Sequence, residues 1–358
     1  MHRTLSFLFS CMVVFFPGFI PEKKPTPYKF PEPLRFPKIP QSLNNPVTVE
    51  GAELGKYLFY DPILSGDSTM SCSSCHKQEY AFSDAPNQFS KGRNNELMKR
   101  NTLPLFNLAY YPALFWDGRS ANPEDQVFHP LRTENELNLK WDVAVKRIKR
   151  SKMYRAKFKK AFGNAKIDST HVTKSIAQFL RTLISYNTKF DKVLRHEDKL
   201  SPEELEGFEI VNDMTRAGCV HCHSTDQDPL GTINDFSNNG LDMITDANLY
   251  KDKGFGLTTK NAKDYGKFKI PSFRNILFTA PYMHDGRFKT IEEVIDFYSE
   301  KVQPCVNIDS RMEFAHQGGP KLNSHEKRKV IAFLKTLSDS VFITNPEFAN
   351  PFKTKKPL

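Results

Sequence analysis

Two short stretches carry residue types able to do chemistry: "CSSCH" at 72–76 and "CVHCH" at 219–223. Each places two cysteines three positions apart with a histidine directly after the second. In that order the two thiols can form thioethers to haem vinyl groups, while the histidine ligates the iron from one face. Cysteine pairs also build zinc ribbons, but ribbon halves lie some tens of residues apart at most. Here Cys75 and Cys219 are 144 positions apart (75 to 219). Two covalently bound haem c groups are therefore expected, held by Cys72, Cys75 and His76 and by Cys219, Cys222 and His223. What sits on the second face of each iron then decides the function. A carrier fills both faces, whereas an enzyme leaves one open.

The elements that must position these residues are readable in outline. The chain has 358 residues, 39% hydrophobic and 26% charged, which is a globular composition with room for two cores. Of six cysteines, four belong to the motifs, Cys11 falls near the N-terminus and Cys305 stands alone, so no disulfide framework is expected. The first twenty residues join one early arginine to an apolar run, which reads as a secretory leader. Within it "LFSC" at 8–11 resembles a lipoprotein cleavage box ending at Cys11, so an N-terminal anchor is the single route to a membrane. Export to the periplasm agrees with covalent haem, which is installed outside the cytoplasm. Residues 21–44 form a proline-rich linker, expected as an extended tether. Formal net charge is +10. The basic run "KRIKRSKMYRAKFKK" (146–160) has no nucleic-acid motif beside it, so a solvated helix face is expected and no nucleic-acid partner. Long-range attraction of an acidic redox protein fits the charge better.

Periodicity is helical. In "VTKSIAQFLRTLIS" Ile176, Phe179, Leu180, Leu183 and Ile184 recur on one face. Ser201 with Glu204, and Thr290 with Glu293, form capping boxes that open further helices. Strand patterns are scarce. The expected fold is mainly α, as two cytochrome c-like haem domains packed around an inter-domain interface. Their bounds are 45–198 and 199–345, followed by a tail at 346–358.

The two halves also resemble each other. "RNTLPLFNLAYYPALFWDGR" (100–119) and "IPSFRNILFTAPYMHDGR" (270–287) each contain an R-N pair upstream of a D-G-R turn, and each follows its own haem motif. Aligning the D-G-R turns sets Trp116 against His284 and, fourteen residues later, Pro130 against Tyr298. Tyr298 shares a helical stripe with Ile291, Val294 and Ile295, so its phenol points inward and needs a partner. An ordinary core hydrogen bond would satisfy it, and so would a haem iron. Proline can ligate nothing. On this reading the second iron is capped and the first is open.

These stretches carry a family resemblance. "LGKYLFYDPILS" before the first motif, "RNTLPLFN", "FWDGR", and "FTAPYMHDGR" followed by "IEEVIDFY" resemble the bacterial di-haem cytochrome c peroxidases, especially their MauG-like branch. The resemblance covers about 45–340. It implies an N-terminal haem where hydrogen peroxide reacts and a C-terminal haem that relays electrons from a small c-type cytochrome or another redox protein. By position it implies that Trp116 lies between the haems, that Gln126 and Glu136 are the peroxidatic residues, and that Pro130 sits over the same iron. It further implies a calcium ion between the domains, held by Asn101 and by the carbonyls of Thr279 and Pro281. Two departures stand out. Many of these peroxidases carry a histidine after the first haem motif that must leave the iron on activation, and 81–101 contains none. They also carry methionine where Tyr298 stands, which implies a lower potential for the second haem. Met312 is a rival ligand. Three functions follow for comparison: a peroxidase, a MauG-like enzyme that oxidises residues of a partner protein, and a non-enzymatic di-haem carrier.

Overall fold

The structure is a computed structural model that describes residues 24–353, apart from 41 and 165. The leader at 1–20, its Cys11 and the last five residues of the tail lie outside the described residues. The first half contains α1 (Val49–Tyr60), α2 (Pro123–Arg132), α3 (Trp141–Arg150), α4 (Lys152–Phe162), α5 (Ser169–Thr182) and α6 (Lys189–Leu194). The second contains α7 (Pro202–Asn212), α8 (Gly256–Thr259), α9 (Ile291–Asp296), α10 (Ser324–Lys335) and α11 (Ser340–Thr344). The protein is mainly α. Among the described residues, one two-stranded antiparallel sheet joins β1 (Phe236–Ser237) to β2 (Phe268–Lys269), with Phe236 opposite Lys269.

Each half is built on one helix crossing. In the first, α1 meets α5 at Gly55, where an added Cβ would lie 1.9 Å from the Ser175 carbonyl oxygen. In the second, α7 meets α10 at Gly207, where the same atom would lie 2.0 Å from the Lys329 carbonyl oxygen. Only glycine permits either approach. Phe59, Phe179 and Leu180 fill the first core, and Val211, Phe333 and Leu334 fill the second. Each such side chain contributes about 1.5–3 kcal/mol on full burial. Surface ion pairs contribute about 0–1 kcal/mol each, so the two apolar clusters hold the fold.

The expected capping boxes form at Ser201/Glu204 and Thr290/Glu293. The chain then departs from a simple division into consecutive halves. Phe190 of α6 packs in the second core, while Phe342 of α11 and Phe348 return to the first. There the Tyr60 hydroxyl donates to the Phe348 carbonyl at 2.8 Å. The proline-rich segment is extended but does not hang free. Tyr28 N donates to Val47 O at 2.9 Å, and Phe30, Phe36 and Ile39 pack against Tyr110, Ile184 and Leu230. It is a strap across both halves.

The internal repeat is plain in the backbone, in the register that the D-G-R turns set. Leu114 N donates to Ser120 O at 2.8 Å around the first D-G-R turn, and Tyr282 N donates to Phe288 O at 2.7 Å around the second. Upstream, Asn107 and Asn275 both adopt φ 58°. Asn107 N donates to Leu183 O at 2.8 Å and Asn275 N to Leu337 O at 2.9 Å. The counterpart of Asn275 is thus Asn107, not the Asn101 of the first R-N pair. Asn101 instead matches Lys269.

Candidate functional site

Both C-x-x-C-H motifs fold into the same turn. His76 N donates to Cys72 O at 3.0 Å, and His223 N donates to Cys219 O at 3.0 Å. The four motif cysteines line the cavity walls and form no disulfide among the described residues, and burial raises the pKa of each thiol and keeps it protonated. His76 Nδ1 donates to Phe82 O at 2.7 Å, and His223 Nδ1 donates to Gly231 O at 3.2 Å. A carbonyl can only accept, so each Nδ1 carries the proton and each Nε2 keeps its lone pair, the form in which histidine binds metal. Burial lowers both imidazoles, His223 to about 4, and holds them neutral. Paired thiols and a neutral imidazole on one cavity wall fit a covalently attached haem, and the chain has two such walls.

The first cavity, of about 920 Å³, is lined by Cys72, Cys75, His76, Trp116, Gln126, Pro130 and Glu136. That volume lies in the range of cofactor pockets, roughly 300–1,000 Å³. Capped by Asn122, α2 brings in Gln126 and Pro130, and the turn after it brings in Glu136. Gln126 Oε1 is buried with no hydrogen-bond partner among the described residues. Leaving such an oxygen unpaired costs about 1–3 kcal/mol, so it is poised for a ligand that donates. Burial raises the Glu136 carboxyl above its ordinary value, and the Arg119 guanidinium pulls it partly back. Two other carboxylates reach this wall and both are occupied. Asp117 pairs with Arg100 at 2.7 Å and Arg119 at 2.9 Å, while Asp252 takes a bidentate contact from Arg100 at 2.7 Å. Among the described residues, Glu136 is the carboxylate of this wall that forms no ion pair. Among the described residues, His76 is the sole histidine on this wall.

The second cavity is a narrower slit of about 220 Å³, lined by Cys219, Cys222, His223, Met283, Tyr298 and Met312. Residues Phe297–Lys301 extend α9 by a π-helical turn that carries Tyr298. Such turns are frequent at functional sites. The half-buried phenol accepts a hydrogen bond from Asn239 Nδ2 at 2.8 Å, and desolvation pushes its pKa up to about 12. Tyr298 and its rival Met312 therefore share one wall. Met283 is there too, with its sulfur 3.6 Å from Asn239 Nδ2. Nothing in its spacing marked it out. His284, opposite Trp116 in the repeat, stacks on Phe268 with ring centroids 3.6 Å apart.

Trp116 lines both cavities, and its indole Nε1 donates to Asn101 O at 2.8 Å. The halves are joined around it by two matched bonds, Asn101 N to His284 O at 2.7 Å and Lys269 N to Trp116 O at 2.8 Å. Arg100, which spans Asp117 and Asp252, ties the two halves through side chains. Asn101, Thr279 and Pro281 all lie on the second cavity's wall.

Two covalent-haem turns, each on its own cavity and sharing a tryptophan wall, define a di-haem c-type protein. Comparison with known proteins agrees. The family model described as di-haem cytochrome c peroxidase matches residues 49–199. The chain is 33% identical to the methylamine utilization protein MauG of Methylorubrum extorquens, over 86% of this chain and 84% of that one. It is 32% identical to cytochrome c551 peroxidase of Nitrosomonas europaea, again over 86% and 84%. A crystal structure of a MauG-like protein associated with microbial copper homeostasis superposes with TM-score 0.83 at 31% identity, covering 91% of this chain and all of that one. The chain belongs to the di-haem cytochrome c peroxidase family. It is an oxidoreductase with two c-type haems, and its substrates in that family are peroxide and a redox partner protein.

Proposed function

We propose that this protein reduces hydrogen peroxide to water at the first cavity, with electrons entering through the second from a small c-type cytochrome or similar donor. The observation that carries this is the pairing, among the described residues, of an unpartnered Gln126 oxygen with a Glu136 carboxylate in no ion pair, on a wall whose one described histidine is His76. Bound haem supplies the iron that takes up peroxide and the redox equivalents that cleave its O–O bond. Two electrons and two protons convert one peroxide to two waters. Glu136 takes the proton from the inner peroxide oxygen and returns it to the outer one, as base and then acid. The Gln126 oxygen accepts from the peroxide O–H and orients it. Pro130 offers no ligand and keeps that face clear. Trp116, in the wall common to both cavities, carries electrons between them.

We assign Tyr298 to the second iron in preference to Met312, because the repeat places it opposite Pro130 and it lines the same wall as His223. We place the working protein outside the cytoplasm, where covalent haem is installed. We also assign a calcium ion to Asn101 Oδ1 and the carbonyls of Thr279 and Pro281. Oxygen donors suit calcium, and neither carbonyl accepts a hydrogen bond from a described residue. We keep the division at 198/199, with a strap and a tail that bind back across it.

A second reading, oxidation of residues in a partner protein, is favoured by one feature: an oxygen rather than a thioether at position 298. Steady-state peroxide reduction with reduced c-type cytochromes separates the two. Fast turnover establishes the peroxidase. Lack of turnover with several donors, together with peroxide-dependent oxidation of a partner, establishes the second.

A further inference from the structure

Seven residues line both cavities: Asn101, Leu103, Pro104, Trp116, Lys269, Pro271 and Ser272. Lys269 alone among them is charged. It sits on β2 and is 6% exposed. Its backbone N is held by Trp116 O, so the position is fixed against the residue that spans the wall. Its Nζ has no hydrogen-bond partner among the described residues and lies 4.5 Å from the centre of the Tyr111 ring. Desolvation, with no opposing anion, pushes the ammonium down to about 8. The other cations described at the centre of this molecule are paired: buried Arg274 to Asp191, buried Arg181 to Glu124, and half-buried Arg100 to Asp117 and Asp252. A lysine buried without an anion is costly unless the working protein supplies one. Haem brings carboxylates of its own, two propionates on one edge of each ring.

We propose that Lys269 is the counter-ion of haem propionate carboxylates that meet at the wall between the two cavities. It rests on the two-haem assignment and goes beyond it by naming the residue that would link the acid edges of both groups. Lys269 is a positioning residue. It holds propionates against Trp116 and places a positive charge beside whichever haem it contacts, which favours the reduced iron. The repeat makes the placement specific, because the matching position in the first half is the neutral Asn101. The wall is therefore electrostatically one-sided.

The test uses the haem-loaded full chain and its Lys269→Met and Lys269→Arg variants. Haem content by the pyridine haemochrome assay reports on the two-haem assignment separately. With both haems present, Lys269→Met is expected to lower the midpoint potential of the contacted haem and to shift the propionate bending band in resonance Raman. Lys269→Arg is expected to preserve both. A shift of one potential names the haem contacted, and a shift of both shows a shared contact. Unchanged potentials and bands in a fully loaded Lys269→Met variant overturn the proposal. A crystal structure of the loaded wild type gives a reading independent of any variant. Nζ within about 3.2 Å of a propionate oxygen supports the assignment, and no carboxylate oxygen within about 4 Å overturns it.

Discussion

Replacing Glu136 by glutamine removes proton transfer and little else. The side chain keeps its length and shape, while an amide can neither accept nor return a proton at this pH. The size of the effect depends on whether a neighbour can stand in. Of the carboxylates on the first cavity wall, Asp117 and Asp252 are held by Arg100 and Arg119. Gln126 cannot act as a base. The variant is therefore expected to lose the full contribution of a positioned acid–base group, about 10²–10⁴-fold in kcat/KM for peroxide, or about 3–5 kcal/mol. The assay is rapid-mixing consumption of peroxide by the haem-loaded enzyme, with haem content and both midpoint potentials unchanged. Stability supplies an independent sign. The folded carboxyl is raised, so its stabilising contribution is present below pH 4.5 and is lost as pH rises through the folded value. Glu136→Gln should thus be at least as heat-stable as the wild type at neutral pH, with the difference vanishing in acid. A loss below about tenfold in a fully loaded variant would refute the role given to Glu136.

The wild-type enzyme should lose peroxide reactivity as pH falls through the Glu136 ionisation, and Arg119→Gln should move that limb to higher pH by removing the charge that pulls the carboxyl down. A pH profile of kcat/KM for both proteins checks this. Tyr298→Phe should change the electronic spectrum of the second haem and leave the first untouched, whereas Met312→Leu should change neither; the reverse result would move the ligand to Met312. Arg274→Ala strips a buried partner from Asp191 and is expected to cost about 3–5 kcal/mol. Urea denaturation reads that loss, and adding Asp191→Asn should recover part of it.

The two haem-attachment turns were legible because covalent haem attachment demands a local signature. Two thiols and a histidine must share one turn, so they sit close in sequence, and both turns form as expected. Helix stripes and capping boxes were legible for the same reason. Tyr298 could be singled out through the repeat, since D-G-R turns set its register against Pro130. What escaped was made by distant segments. Arg100 meets Asp252 across 152 positions (100 to 252), and no spacing rule links them. Nothing in the sequence distinguishes Lys269 from the other lysines, because its place in the wall shared by both cavities is made by the fold. The R-N pairs misled because the dipeptide recurs out of register. The D-G-R register already sets Asn107 against Asn275, and the left-handed backbone at both agrees with it. The strap kept the extended form that its prolines dictate, but composition could not reveal that Phe30, Phe36 and Ile39 would find apolar partners.

On the proposed function the iron held by His76 would be open on its far side and the iron held by His223 would be capped. Low-temperature EPR of the fully oxidised, haem-loaded protein tests it most directly. One high-spin and one low-spin ferric signal are expected, with Tyr298→Phe perturbing the low-spin signal alone. Two low-spin signals would contradict it, and would point to a thioether of the first cavity wall, Met70 or Met98, as the ligand that closes the site.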